Sequence, residues 1–372
     1  MIPPIELGTL SAPAQKIAQP SAPQKLQEMA ARGIAPGVKP GELLAVLVIL
    51  AASERQTVRE TAEKTLASIP EPILSGALAG DLPPLVIERL AQLHGGRIDV
   101  IERLCAMTSV AEETLLHLAG TGTEAVTELI AVNEARLLKS PRVIEKLYLN
   151  KQTRMSTADR LIDLATRNGL ELGGIPAWRE VSTAIQGELI PEPTPEPTPD
   201  DLLFQETQRI SELLTSTVAE DTHQEDEEGE EQLKEKYMPL YKRIASMTMS
   251  QKIRRAMLGS REERMLLVRD SNRLVASAAI RSPQMQEEDV VLLSRNRNLC
   301  DEVMRVISSN PQWMQSYAIK RNLVENPRTP LAAATKLVTY LREADLRMVS
   351  KSKNVTSPVK DAARKHLARR KS

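Results

Sequence analysis

Catalysis in this chain would have to be assembled from four histidines, two cysteines and the carboxylates around them. His94, His117, His223 and His366 stand far apart, and none sits at metal-ligand spacing from a cysteine or a carboxylate. The turn His94–Arg97, HGGR, has two glycines but lacks the strand before and the helix after that make a phosphate-cradling loop. Cys105 and Cys300 each fall on the apolar face of an expected helix, where a reduced thiol acts as a small hydrophobe. Two such thiols give no disulfide framework and point to a reducing compartment, hence the cytoplasm. The adjacent Glu112 and Glu113 read most simply as a solvated helix face. The sequence therefore predicts no catalytic, cofactor-binding or metal-ligating residue, and a protein that is not an enzyme.

The one electrostatic signal is basic. Lys252, Arg254, Arg255, Arg261 and Arg264 cluster in one stretch, and Arg364, Lys365, Arg369 and Arg370 cluster near the end. The chain is neutral as a whole, but its charge is divided. Residues 1–190 carry 19 basic and 22 acidic side chains, residues 191–230 carry 1 and 13, and residues 231–372 carry 29 and 14. The two basic clusters are a candidate binding surface for an acidic protein or, as an alternative, for nucleic acid. Against nucleic acid, few aromatic rings are present to stack on bases: only Trp313, Tyr317 and Tyr340 lie in this stretch beyond residue 270. The acidic segment is tethered beside the basic one and is itself a candidate partner in cis.

The elements that must position these side chains are helices. Aromatic residues make up 2% of the chain, whereas a sheet protein would draw on them heavily. Leu, Ala, Ile, Glu, Lys and Arg dominate, and most of these favour helices. Residues 1–40, rich in Pro, Ala and Gly, are expected to form a loosely ordered lead-in. Short helical units follow over 41–189, with Val58, Ala62 and Leu66 on one stripe. The string V-I-E-R/K-L starts at Val86, Val100 and Val143. Helices this short are marginal alone and must stack on neighbours. The run LLAVLVILAA from Leu43 is too short to span a membrane and reads as a buried helix. The N-terminal MIPPIELGTLSAPAQ shows no basic start followed by an apolar run, so no secretory signal is expected. PEPTPEPTPD, from Pro191 to Asp200, opens an acidic, Pro-rich linker over 190–232. Within it an amphipathic helix is expected near 202–218, packed on a flanking domain or presented to a partner's groove. Residues 233–372 form the second helical domain.

That second domain repeats. LVRDSNRLVASAA from Leu267 aligns with LVENPRTPLAAAT from Leu323, an offset of 56 residues, and half of that, 28, joins Asp270, Asn298, Asn326 and Asn354. Val275, Val303, Leu331 and Val359 keep the same spacing. A short polar side chain before a helix accepts hydrogen bonds from first-turn N–H groups, so the four Asp/Asn residues are expected to be structural caps. A fixed period in this range is the signature of a solenoid. Glu54, Val58, Arg59, Ala62 and Leu66 resemble the second-helix pattern of HEAT repeats, and Asn326–Leu331, NPRTPL, resembles the short-helix units of leucine-rich-repeat-variant proteins. The resemblance implies two all-α, α-solenoid domains of HEAT-like kind and nothing catalytic. The expected function is a protein–protein interaction scaffold without a cofactor, and the alternative is a nucleic-acid-binding protein.

Overall fold

The computed structural model describes residues 2–214, 221–225 and 231–371. Among them the chain forms 24 α-helices, four short 3-10 turns and one two-stranded hairpin, an all-α helical repeat fold. It divides into two compact units, residues 1–157 and residues 158–372.

The first unit contains α1 (Ala12–Ala18), α2 (Gln24–Ala31), α3 (Pro40–Leu50), α4 (Gln56–Ala67), α5 (Glu71–Ala77) and α6 (Pro84–Leu93). It continues with α7 (Ile98–Ala106), α8 (Glu112–Thr121), α9 (Glu124–Ala131), α10 (Glu134–Lys139), α11 (Pro141–Leu149) and the start of α12 (Met155–Arg167). Several helices open on proline, whose missing N–H costs nothing at that position. Helices two apart in the chain pack on one another: α2 on α4, α6 on α8, α1 on α3, α3 on α5 and α7 on α9. The run from Leu43 lies in α3 and its ends, with Leu44, Ala45, Val46, Leu47 and Leu50 fully buried. Among the described residues no helix is long and apolar enough to cross a membrane.

Two expectations change here. The lead-in expected over 1–40 is not loosely ordered across its described residues, 2–40: Ala14, Ile17, Ala18, Ala30 and Ala31 are buried, and Ser11 donates from N and Oγ to Glu42 at 2.9 and 2.8 Å. Alanine-rich faces let these short helices approach closely. The repeat also extends into this unit. α4, α6 and α8 begin at Gln56, Pro84 and Glu112, each 28 residues after the last. Hydrogen bonds keep the step, with His94 Nε2 on the Leu66 carbonyl and Asn150 Nδ2 donating to Gly122 O, both across 28 residues.

The second unit takes the rest of α12, then α13 (Trp178–Ile185), α14 (Pro199–Leu214), the hairpin β1 (His223–Glu225) and β2 (Glu231–Leu233), and α15 (Met238–Ala245). The repeats follow as α16 (Met249–Leu258), α17 (Arg261–Leu267), α18 (Arg273–Ile280), α19 (Glu287–Arg295) and α20 (Asp301–Ser309). The last four are α21 (Tyr317–Glu325), α22 (Leu331–Leu337), α23 (Glu343–Lys351) and α24 (Ser357–Lys371). One row of alternate helices runs α16–α18–α20, and another runs α19–α21–α23. The compact units therefore divide ahead of the Pro-rich run, which the sequence marks as the border. Buried polar contacts explain this: Ser250 Oγ donates to Asp159 at 2.5 Å, and Ser277 Oγ donates to Glu180 at 2.7 Å. α14 packs on α15 and α17, burying Phe204, Thr207 and Ser211. Part of the expected helix, 215–218, and much of the acidic run lie outside the described residues.

Candidate anion-binding face

The first basic cluster is an interior framework and not a surface. Arg254, Arg255 and Arg264 are buried, and Arg261 and Lys252 are mostly so. The guanidinium groups of Arg254 and Arg255 lie 5.0 and 4.8 Å from the ring centre of Phe204, the chain's only phenylalanine. Arg255 donates from Nε and Nη2 to the two oxygens of Glu263 at 2.7 and 2.6 Å, a bidentate pair away from solvent. Arg261 Nε meets Asp289 at 2.6 Å, and Lys252 Nζ meets Asp270 at 2.9 Å. Arg264 Nη1 donates to Gly259 O and Gln284, and burial pushes its guanidinium below the ordinary value against the pull of Asp289 and Glu263. α16 and α17 form here because both start with reciprocal capping boxes, Thr248 with Gln251 and Ser260 with Glu263. The chain must bury its carboxylates and arginines together, since either alone would be an unpaired buried charge.

The second cluster stays outside. Arg364 pairs with Asp361 at 3.1 Å, and Lys365 and Arg369 are exposed on α24. The side chain of Arg370 lies outside the described residues.

The four expected caps lie in the corners, ahead of the residues that open the next helices. Asn272 is the cap of α18, accepting from Leu274 N at 2.9 Å, while Asp270 accepts from Asn272 N two residues earlier. Asn326 ends α21. Its Oδ1 accepts from Arg328 N, and its Nδ2 donates to Ser294 O and Asn296 O of the preceding repeat at 3.0 and 2.8 Å. Asn298 lies in the α19–α20 corner, and Asn354 N donates to Ser352 Oγ. Asp270 and Asn298 stand two residues ahead of the residues that cap α18 and α20, and Asn326 stands four ahead of the cap of α22, so the side chains of Asp270 and Asn326 bond within the corner or back to the previous repeat.

These corners build a face that the sequence reasoning missed. The α17–α18 corner supplies Arg269 and Asp270, the α19–α20 corner Asn296, Arg297 and Asn298, and the α21–α22 corner Asn326 and Arg328. Three depressions follow the row. One of about 330 Å³ lies between Arg269, Arg273, Asn298 and Arg328. The next, about 590 Å³, is walled by Asp221, His223, Glu231, Arg295 and Arg297. The third, about 250 Å³, lies between Arg295, Arg297, Arg321 and Asn326. Neighbouring depressions share Asn298, then Arg295 and Arg297. Arg295 and Arg297 are exposed and make no ion pair among the described residues.

Carboxylates already sit on this row. Arg269 Nη2 donates to both oxygens of Asp221 at 3.0 Å, and its Nε donates to Glu231 at 2.9 Å. Asn296 Nδ2 donates to both Glu231 oxygens at 2.9 Å, and Asn298 Nδ2 approaches one at 3.5 Å. Burial alone would raise the Glu231 carboxyl, but the Arg269 charge and the donations from Asn296 and Arg269 outweigh it and hold it below the usual value. The same surroundings push His223 down: burial first, then the Arg269 charge, opposed by Glu231 and Asp221. A signal for the row was present in the repeat, since Arg269 and Arg297 are 28 residues apart, each just before a periodic Asp or Asn.

Cys105 is half-buried, and burial raises its thiol to about 11, far from a thiolate nucleophile. No protein-family model matches the chain, and neither does any curated protein or solved structure.

Proposed function

We propose that the protein is a non-catalytic, HEAT-like interaction scaffold of the cytoplasm that holds an acidic, extended segment of a partner protein across the corner row of its second unit. One observation carries this reading: the row already grips two carboxylates, Asp221 ahead of β1 and Glu231 on β2, through Arg269, Asn296 and Asn298. Arg295 and Arg297 extend the same chemistry beyond them. Bidentate arginine and amide donors suit carboxylates. Duplex DNA is the rival ligand. It favours an unbroken positive track, whereas acids interleave here: Asp301 faces Arg328 at 3.6 Å and Glu325 faces Arg321 at 3.1 Å.

The test is fluorescence anisotropy of the full chain with a labelled poly-glutamate peptide, and with a labelled DNA duplex, at low salt. The peptide is expected to bind, and Arg295→Ala with Arg297→Ala to weaken it by roughly 10-fold or more. No peptide binding, or tight DNA binding that the peptide does not displace, overturns the reading.

A further inference from the structure

The hairpin that reveals the row also occupies it. We propose that β1–β2 is a competitor in cis: Asp221 and Glu231 hold the places of the partner's carboxylates, and the partner binds by displacing them. This rests on the acidic-segment reading above.

Three observations separate a displaceable cover from a structural strut. The hairpin consists of two strands of three residues each, paired as His223 with Leu233 and Glu225 with Glu231. A lone hairpin of that size has little stability of its own, so its position depends on what grips it. Second, the grip remains open to water. Asp221 and Glu231 keep 31% and 18% of their side-chain surface, against 2% and 0% in the interior Arg255–Glu263 pair. Third, Arg269 has a hold besides the hairpin, because its Nη1 donates to Met265 O of the preceding helix, α17, at 2.8 Å. Asn296 is likewise set by its corner, accepting from Asn298 N at 2.8 Å. Removing the hairpin leaves the donors standing and aimed at the same spot. Tethering gives the cis carboxylates a high effective concentration, so a weak latch is enough to compete.

The experiment compares three full-length proteins with the labelled poly-glutamate peptide at low salt: wild type, D221N/E231Q, and E192Q/E196Q. The last removes as many negative charges from the exposed Pro-rich run, far from the row in sequence. D221N/E231Q should bind at least about 10-fold tighter than wild type, because charge-assisted contacts no longer oppose the peptide. E192Q/E196Q should bind like wild type. In wild type, saturating peptide should speed amide hydrogen exchange over residues 223–225 and 231–233. Equal binding by wild type and D221N/E231Q, equal tightening by the control pair, or unchanged exchange in the hairpin overturns the competitor. In those cases the scaffold reading stands, since the peptide still binds. Failure of all three proteins to bind overturns both.

Discussion

Asp159 gives the sharpest physical test of the second unit. It sits on α12 with 8% of its surface exposed, and Ser250 Oγ donates to it at 2.5 Å. Burial raises its carboxyl from 3.8 to about 7; the Ser250 hydrogen bond and Arg254 pull the other way, and Glu188 and Asp200 add to the rise. The folded unit thus keeps a proton that the unfolded chain releases near 3.8. The stability linked to this proton is fully present below that value and is lost as pH rises through about 7. At 1.36 kcal/mol for each pH unit of separation, the full swing is about 4 kcal/mol, and about 2.5 kcal/mol of it falls between pH 5 and 8. Asp159→Asn keeps an acceptor for Ser250 and removes the titration. Urea unfolding at pH 5 and pH 8 reads this cleanly through tryptophan fluorescence, because Trp178 and Trp313, the only two tryptophans, both lie in the second unit. The Asn variant should gain on wild type by about 2.5 kcal/mol between the two pH values. A difference between the proteins that does not change with pH refutes the buried, protonated carboxyl.

Three further outcomes follow from the same contacts. A Cβ at Gly259 would stand 2.2 Å from Glu263 Oε2 and 2.5 Å from Arg255 O, so Gly259→Ala should destabilise the second unit by about 1–3 kcal/mol in the same urea assay. Asn150 is buried and donates to Ala119 O and Gly122 O at 2.9 and 3.0 Å, so Asn150→Ala should cost the first unit about 1–3 kcal/mol, read by far-UV circular dichroism. The Glu231 carboxyl is held below its ordinary 4.5, so its share of the latch is complete at neutral pH and is lost as pH falls through the acidic range. The protection of the hairpin amides, taken relative to their intrinsic exchange rate at each pH, should fall on acidification in wild type, and much less so in Glu231→Gln.

Fold class was legible because it rests on local chemistry: few aromatics, many helix formers and proline at helix starts. The 28-residue step was legible only where its corner carried Asp or Asn. In the first unit the step lives in the core, where Ala62, Leu90 and Leu118 take equivalent places, and so do Val58, Val86 and Thr114; the next turn, to Leu147 and Val143, is one residue longer. Alanine standing for leucine, and a buried threonine for valine, hide the period because the core selects for volume and close approach rather than identity. Residues 1–40 looked loose for a related reason. Proline and alanine suggest a weak helix when taken alone, yet small side chains are what allow α1 and α2 to pack closely on α3 and α4.

Composition misplaced the site because it counts charges without their partners. The stretch from Lys252 to Arg264 looked like a binding surface, but Glu263, Asp270 and Asp289 neutralise it from within the same unit. Asp270 and Asp289 lie 18 and 28 residues from their partners, beyond the reach of any local window. A buried pair contributes little to the outer field, so the excess positive charge of residues 231–372 must be expressed by the remaining arginines and lysines. Arg295 and Arg297 are among these, and they lie next to the spot where Asp221 and Glu231 settle. The pairs differ in their access to solvent: Arg255–Glu263 excludes water, whereas Asp221 on the corner row keeps about a third of its side chain exposed and Glu231 about a fifth. An ion pair open to water exchanges its carboxylate at lower cost than one sealed in the core, and this sets Arg269 and Asn296 apart from Arg254 and Arg255, which are fully buried.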